Sequence, residues 1–173
     1  AQRVARIGSY MLNVESGIWT SSDVMDEIFG IDKSCTRDVE AWSRLLHPDY
    51  SEQMLDYFQN HVIGGLNDFD REYRIVRLSD GAERWVHGLG KLIFNADGKL
   101  VSMIGTIQDI TEKKNIEEML KAANQNLEAL VLERTRHLTA SEARYRALLD
   151  TIPYCIHECD TSGVITFSNP GGA

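Results

Sequence analysis

Residues 71–114, REYRIVRLSDGAERWVHGLGKLIFNADGKLVSMIGTIQDITEKK, leave this chain few folds to choose from. Three runs rich in β-branched and aromatic residues follow one another, at 72–78, 83–94 and 99–108. Ser79-Asp80-Gly81 separates the first two, and Asn95-Ala96-Asp97-Gly98 the last two. Both are tight-turn sequences, so the runs read as an antiparallel meander. The third run passes through Asp109-Ile110-Thr111 into charged, helix-favouring residues with no Gly or Pro between. A sheet strand is therefore wired directly into a long helix.

Upstream, the alternation of Ile7, Tyr10, Leu12 and Val14, a turn at Glu15-Ser16-Gly17 and a return at Ile18-Trp19-Thr20 read as a first hairpin. Ser21-Ser22-Asp23 are N-cap residue types, and a short helix is expected over 24–29, closed by Gly30. A second short helix is expected over 39–46. His47-Pro48-Asp49 opens a third, running to about residue 63 and ended by Gly64-Gly65, with Met54, Leu55, Phe58 and Val62 on one face.

Taken in order, Ile7-Gly8-Ser9, Ile28-Phe29-Gly30, His47-Pro48-Asp49, the two Asp-Gly turns, Arg84-Trp85 and Gly105-Thr106-Ile107-Gln108-Asp109-Ile110-Thr111 resemble a PAS domain with its C-terminal PAC-type motif. The resemblance implies an α+β fold: a five-stranded antiparallel sheet with short flanking helices, followed by a long C-terminal helix. It also implies a sensory signal-transduction role. Three segments are expected: a sensor domain over 1–111, a signalling helix over 112–152, and at 153–173 the truncated opening hairpin of a second PAS domain. In that last segment 154–159 and 164–168 read as strands around Asp160-Thr161-Ser162-Gly163. So short a piece cannot complete a core, and a disordered or frayed tail is expected. The start without Met and the end at Gly-Gly-Ala suggest a piece of a longer protein.

The helix over 112–152 is too long for a domain of this size to bury. Ile116, Leu120, Ala123, Leu127 and Leu130 follow the 4-3 spacing of a coiled-coil seam. The pattern shifts around Leu127, Val131 and Arg134, then continues through Leu138, Ser141, Tyr145, Leu148 and Ile152. Such a shift is a stutter, which locally unwinds a supercoil. A homodimer through this helix is the expected consequence.

Charge and cysteine content narrow the function classes. The net charge is −8, with 17 acidic and 11 basic groups in 1–111 and 7 of each in 112–150. No basic stripe suits phosphate neutralisation, so nucleic-acid binding is not expected. Three cysteines form no disulfide framework, which fits a reducing, cytoplasmic setting. No apolar run reaches the roughly 18–20 residues of a membrane span.

Each candidate site has a plain alternative. Trp19, Phe29, Leu55, Phe58, Tyr73 and Trp85 are placed around a ligand cavity, with Gly88, Gly90 and Gly105 leaving room. A filled core, in which the glycines admit close helix packing, is the favoured alternative. Haem-binding relatives carry a His ligand on the helix that holds His61, and flavin photosensors use a Cys in a segment that Ser34-Cys35-Thr36-Arg37 does not match. Haem and flavin are therefore not expected. Cys155, His157 and Cys159 share one strand face but diverge poorly around a tetrahedron, so no metal is expected. The resemblance implies that Asp109 and Thr111 tie the last strand to the outgoing helix as a relay, against a plain helix cap.

No nucleophile–base pair, phosphate loop or paired-carboxylate motif is present in the sequence. The expectation is a non-catalytic sensory module that passes a ligand- or partner-induced change through a dimeric helix to a downstream output domain. The resemblance implies a histidine kinase as the leading output, with a diguanylate cyclase as runner-up. A structural dimerisation spacer without ligand is the rival class.

Overall fold

The computed structural model describes residues 6–154 and 156–169. The chain forms two compact units, Ala1–Glu117 and Glu118–Ala173. The first holds β1 (Ile7–Asn13), β2 (Trp19–Ser21), α1 (Asp23–Phe29), α2 (Val39–Leu45), α3 (Pro48–Asp56), a π-helical segment (Tyr57–Ile63), β3 (Phe69–Val76), β4 (Glu83–Phe94) and β5 (Leu100–Asp109). The strands make one antiparallel sheet in the order β2-β1-β5-β4-β3. The expected meander is thus β3–β4–β5, and β1 pairs with β2 on one side and with the last strand, β5, on the other. β5 lies between β1 and β4 and leaves the sheet as α4 (Thr111–Asp150).

Period-2 burial sorts the strands into faces. Leu12, Tyr73, Ile75, Val86, Leu92, Met103 and Ile107 point inward and pack with Met25, Ile28, Phe29, Leu45, Met54, Phe58 and Val62 of the helices. Burying one such side chain contributes about 1.5–3 kcal/mol. α1 reaches the sheet at Gly8, where an added Cβ would lie 2.5 Å from the Met25 Cα. Ser22 caps α1 and ties it to β1: Ser9 N donates to Ser22 Oγ at 2.9 Å, and Ser22 N donates to Ser9 O at 2.9 Å. Gly30 ends α1 in the left-handed region, at φ 65°, as its position after the helix requires.

Two local expectations are revised. The strand expected at 72–78 begins at Phe69, because residues 69–71 pair with Gly90, Leu89 and Gly88. The helix from Pro48 is not uniform, since it widens into the π-helical segment after Asp56. Met54, Phe58 and Val62 are buried at successive spacings of four. An α-helix turning every 3.6 residues would rotate such a series off the core, and the wider π turn offsets that drift. Leu55, which that wider stripe would have carried inward, sits only partly buried against the core. The chain leaves this helix through Leu66, at φ 53°, and not through a left-handed Gly64.

The second unit contains most of α4, then β6 (His157–Cys159) and β7 (Ile165–Ser168), paired antiparallel. Where a disordered or frayed tail was expected, the described residues form a hairpin. Asn169 accounts for it, through hydrogen bonds to both the hairpin and the helix end. Among the described residues no helix is long and apolar enough to cross a membrane.

Candidate functional site

Two neighbouring features carry the chemistry of the first unit: a cavity inside the sheet, and the junction where β5 becomes α4. The cavity has a volume of about 60 Å³ and is lined by Tyr10, Leu12, Trp19, Met25, Phe29, Val39, Trp42, Phe58, Phe69, Tyr73, Met103 and Ile107. Ligand pockets usually enclose about 300–1,000 Å³. This one has room for a water or two and for little else.

Trp19, Phe29, Phe58 and Tyr73 stand in the cavity wall; Leu55 and Trp85 do not. Strand parity explains Trp85. Val86, Gly88, Gly90 and Leu92 are buried, so their odd-numbered neighbours face the other way. The expected glycine roles also change. An added Cβ at Gly105 would lie 1.9 Å from Leu89 O and 2.7 Å from the Tyr10 ring, and one at Gly90 would lie 2.5 Å from the Tyr10 hydroxyl. At Gly88 it would meet Phe69, Tyr73 and Ile107. The glycines make room for aromatic rings of the sheet itself, rather than for a helix or for open space.

The polar groups of the wall are neutral. Burial pushes the Tyr73 phenol up to about 12 and raises Tyr10 further still. Trp42 Nε1 donates to the Tyr73 hydroxyl at 3.4 Å, and the Tyr10 hydroxyl donates to Leu89 O at 3.2 Å. An occupant would have to be small and largely apolar. His61 is exposed, with its ring stacked on Tyr57 at 4.8 Å, and is not part of the wall. Cys35 lies in the loop before α2, where its carbonyl accepts from Arg37. The suggested trio at the C-terminal hairpin includes Cys155, which lies outside the described residues; His157 and Cys159 are exposed.

At the junction, β4 and the first turn of α4 share hydrogen bonds. Trp85 N donates to Thr111 Oγ1 at 3.0 Å, and Ile110 N donates to Trp85 O at 2.9 Å. Asp109 Oδ1 accepts from Thr111 N at 2.9 Å, so Asp109 caps the helix while remaining in the sheet opposite Val86. Its other oxygen lies 3.4 Å from the Arg6 guanidinium. Asp109 is thus the cap, and Thr111 the side chain that faces back to β4.

A second set of contacts, with no local sequence signal, reinforces the junction. Lys114 Nζ lies 2.6 Å from Glu72 on β3 and 5.3 Å from the centre of the Trp85 ring. The same indole packs edge-on against Tyr50 at 5.5 Å and lies under the Arg74 guanidinium. The hydrogen bond from Lys114 is the main reason the Glu72 carboxyl is held below its ordinary value, and the same bond raises Lys114. Trp85 therefore belongs to the helix clamp and not to the cavity. The ion-paired Glu72 and Lys114 of this clamp are 42 positions apart in the chain, so helical or strand spacing cannot pair them.

The seam residues Ile116, Leu120, Ala123, Leu127, Leu130, Val131 and Leu138 are all exposed in the single chain. Leu127 and Leu138 keep 59% and 61% of their surface in solvent. At the stutter, Thr135 Oγ1 donates to Val131 O at 2.8 Å and Thr139 Oγ1 donates to Thr135 O at 2.9 Å. Such back-bonding weakens and bends helices slightly.

Known proteins share this architecture. The chain is 36% identical over 96 residues to the sensor protein TdiS of Thauera aromatica, covering 55% of this chain and 17% of that protein. It superposes on the sensory box histidine kinase/response regulator structure from Burkholderia thailandensis with a TM-score of 0.59 and 26% identity, over 73% of this chain and 94% of that one. The N-terminal domain of a diguanylate cyclase with PAS/PAC sensor from Marinobacter aquaeolei shares the fold at 18% identity, with a TM-score of 0.58 over 62% and 98% of the two chains. Residues 18–107, just over half of the chain and most of the sheet, match the PAS fold family. With its five-stranded sheet, small aromatic cavity and sheet-to-helix junction, this chain belongs to the PAS fold family.

Proposed function

We propose that this chain is a non-catalytic sensory and relay module, which passes a change in its sheet through α4 to an output domain further along the same protein. The observation that carries the reading is the bond from Trp85 N to Thr111 Oγ1. A shift of β4 relative to β5 moves Trp85, and Thr111, Ile110 and Lys114 pass that movement to the first turn of α4. Two copies of the chain pair through the seam from Ile116 to Leu138, because a monomer leaves its apolar stripe in water. The stutter between Leu127 and Arg134, softened by the two threonine back-bonds, is where the pair changes twist or register.

A histidine kinase is the output best supported, by the kinase structure at 26% identity, and the sensor relative at 36% supports the sensory role. A cytoplasmic setting suits both that output and the three cysteines. Residues 153–173 open a second PAS module under this reading.

The cavity of about 60 Å³ favours a second reading of the input. An apolar space below the roughly 150 Å³ of an engineered benzene-binding cavity suits a module driven by a partner, or a ligand-free spacer, better than one driven by a bound organic ligand. Native mass spectrometry separates the two, since a retained small molecule marks a ligand sensor. Light scattering on the intact chain and on a version ending at Glu117 tests the relay. A dimer that becomes a monomer on truncation supports the seam. An intact chain that is itself monomeric overturns it.

A further inference from the structure

The two ends of the chain carry the same hydrogen-bond device. In the first hairpin Ser9 N donates to Ser22 Oγ at 2.9 Å and Ser22 N donates to Ser9 O at 2.9 Å. In the second, Ile156 N donates to Asn169 Oδ1 at 2.7 Å and Asn169 N donates to Ile156 O at 3.1 Å. Both pairs are 13 residues apart. The second loop is one residue tighter, closing from Asp160 N to Val164 O where the first closes from Asn13 N to Ile18 O. A register shift between Glu158 and Cys159 restores the count.

The devices differ in one respect. A serine hydroxyl has one proton to give, and a carboxamide has two. Asn169 Nδ2 donates to Leu149 O at 3.0 Å and to Tyr154 O at 3.1 Å, with Ile152 O at 3.5 Å. Leu149 is in the last turn of α4, whose final carbonyls have no partner within the helix. Asn169 is buried, at 5% exposure, and both faces of its amide are satisfied there. One side chain thus holds the start of β6 with its oxygen and the end of α4 with its nitrogen.

We propose that Asn169 is the positioning residue that fastens α4 to the module opened by the C-terminal hairpin. A rotation or axial shift of the helix end must then carry the hairpin with it. The use of this fastening rests on the relay reading above; the fastening itself does not.

Amide hydrogen exchange on the whole chain, read residue by residue, tests it. Thr151 N and Ile152 N bond to Leu148 O and Leu149 O at the helix end, and Ile156 N reports on the hairpin. In the wild-type chain these three amides open together as one unit. Asn169→Ser keeps an oxygen for Ile156, as Ser22 does for Ser9, and replaces the two amide donors to the helix by a single hydroxyl proton on a shorter side chain. Thr151 and Ile152 are then expected to exchange about fivefold faster, the size of a lost helix cap. Asn169→Asp, which keeps the oxygens and has no donor, gives the same acceleration. Joint loss of Ile156 protection in both variants also supports the fastening, because both keep an oxygen for Ile156 and share only the loss of the Nδ2 group that reaches the helix end. Unchanged exchange at Thr151 and Ile152 in both variants overturns it, as does independent opening of the two sets in the wild type. Amides of β3–β5 serve as the control for global unfolding. Light scattering on the same samples reads the seam separately, so a monomeric chain sinks the relay while leaving the exchange pattern interpretable.

Discussion

Thr111 shows how much one side chain can do where two elements meet. Its hydroxyl accepts from Trp85 N, a part-buried backbone donor on β4. Thr111→Val keeps the shape and removes the acceptor, which leaves that donor unsatisfied. Its expected cost is about 1–2 kcal/mol of unfolding free energy, measured by urea denaturation, while Thr111→Ser stays within about 0.5 kcal/mol of the wild type. Equal stability of the valine and serine variants would remove Thr111 from the junction. The place of Asp109 and Thr111 at the turn from sheet to helix was legible because they follow the last strand directly in the sequence. The partner Trp85 was not, since a hydrogen bond across 26 positions leaves no mark in local spacing.

Among elements, the clamp of β3 on α4 predicts a pH dependence. Glu72 is held below its ordinary value, chiefly by the hydrogen bond from Lys114. Its contribution is therefore complete above the unfolded glutamate range and is lost as pH falls through the depressed folded value. Lys114 is raised, chiefly by the bond to Glu72. Its contribution is complete below the unfolded lysine value and is lost as pH rises through the raised folded value. The pair is partly exposed, so solvent screening limits it to no more than about 1 kcal/mol. The stability gap between wild type and Glu72→Gln should be flat near neutral pH and close at both extremes. A gap that does not change with pH would mean that the ion pair contributes nothing. Strand parity, present in the sequence, was enough to turn Trp85 away from Gly88 and Gly90 and towards this clamp.

For the whole molecule, the exposed stripe on α4 sets the expected assembly. Leu120→Asp with Leu127→Asp places charge at two seam positions that are each about 60% exposed in the single chain. Sedimentation is expected to show a dimer converted to a monomer, with the melting temperature of the β1–β5 unit unchanged, because neither side chain packs in its core. A variant that remains dimeric would place the interface on the sheet domain. The exposed apolar stripe was legible as a 4-3 repeat, since its residues lie on adjacent turns of one helix.

Turn chemistry, alternation and helix caps lie within a few residues of one another, so the chain alone determined the three-strand meander, the short helices, the exit through Asp109 to Thr111 and the long amphipathic helix. Contacts between distant residues were decided only by the tertiary structure. The pairing of β1 with β5 placed Tyr10 over Gly90 and Gly105, in the space that the glycines were expected to leave open. The widened turn after Asp56 chose Phe58 and Val62 over Leu55 for the core. Asn169, an ordinary strand-end residue in the sequence, became a helix clasp only when folding brought the carbonyls of Leu149 and Tyr154 within reach of its amide. Local sequence sets which conformations are cheap, and packing selects among the long-range hydrogen bonds that those conformations permit.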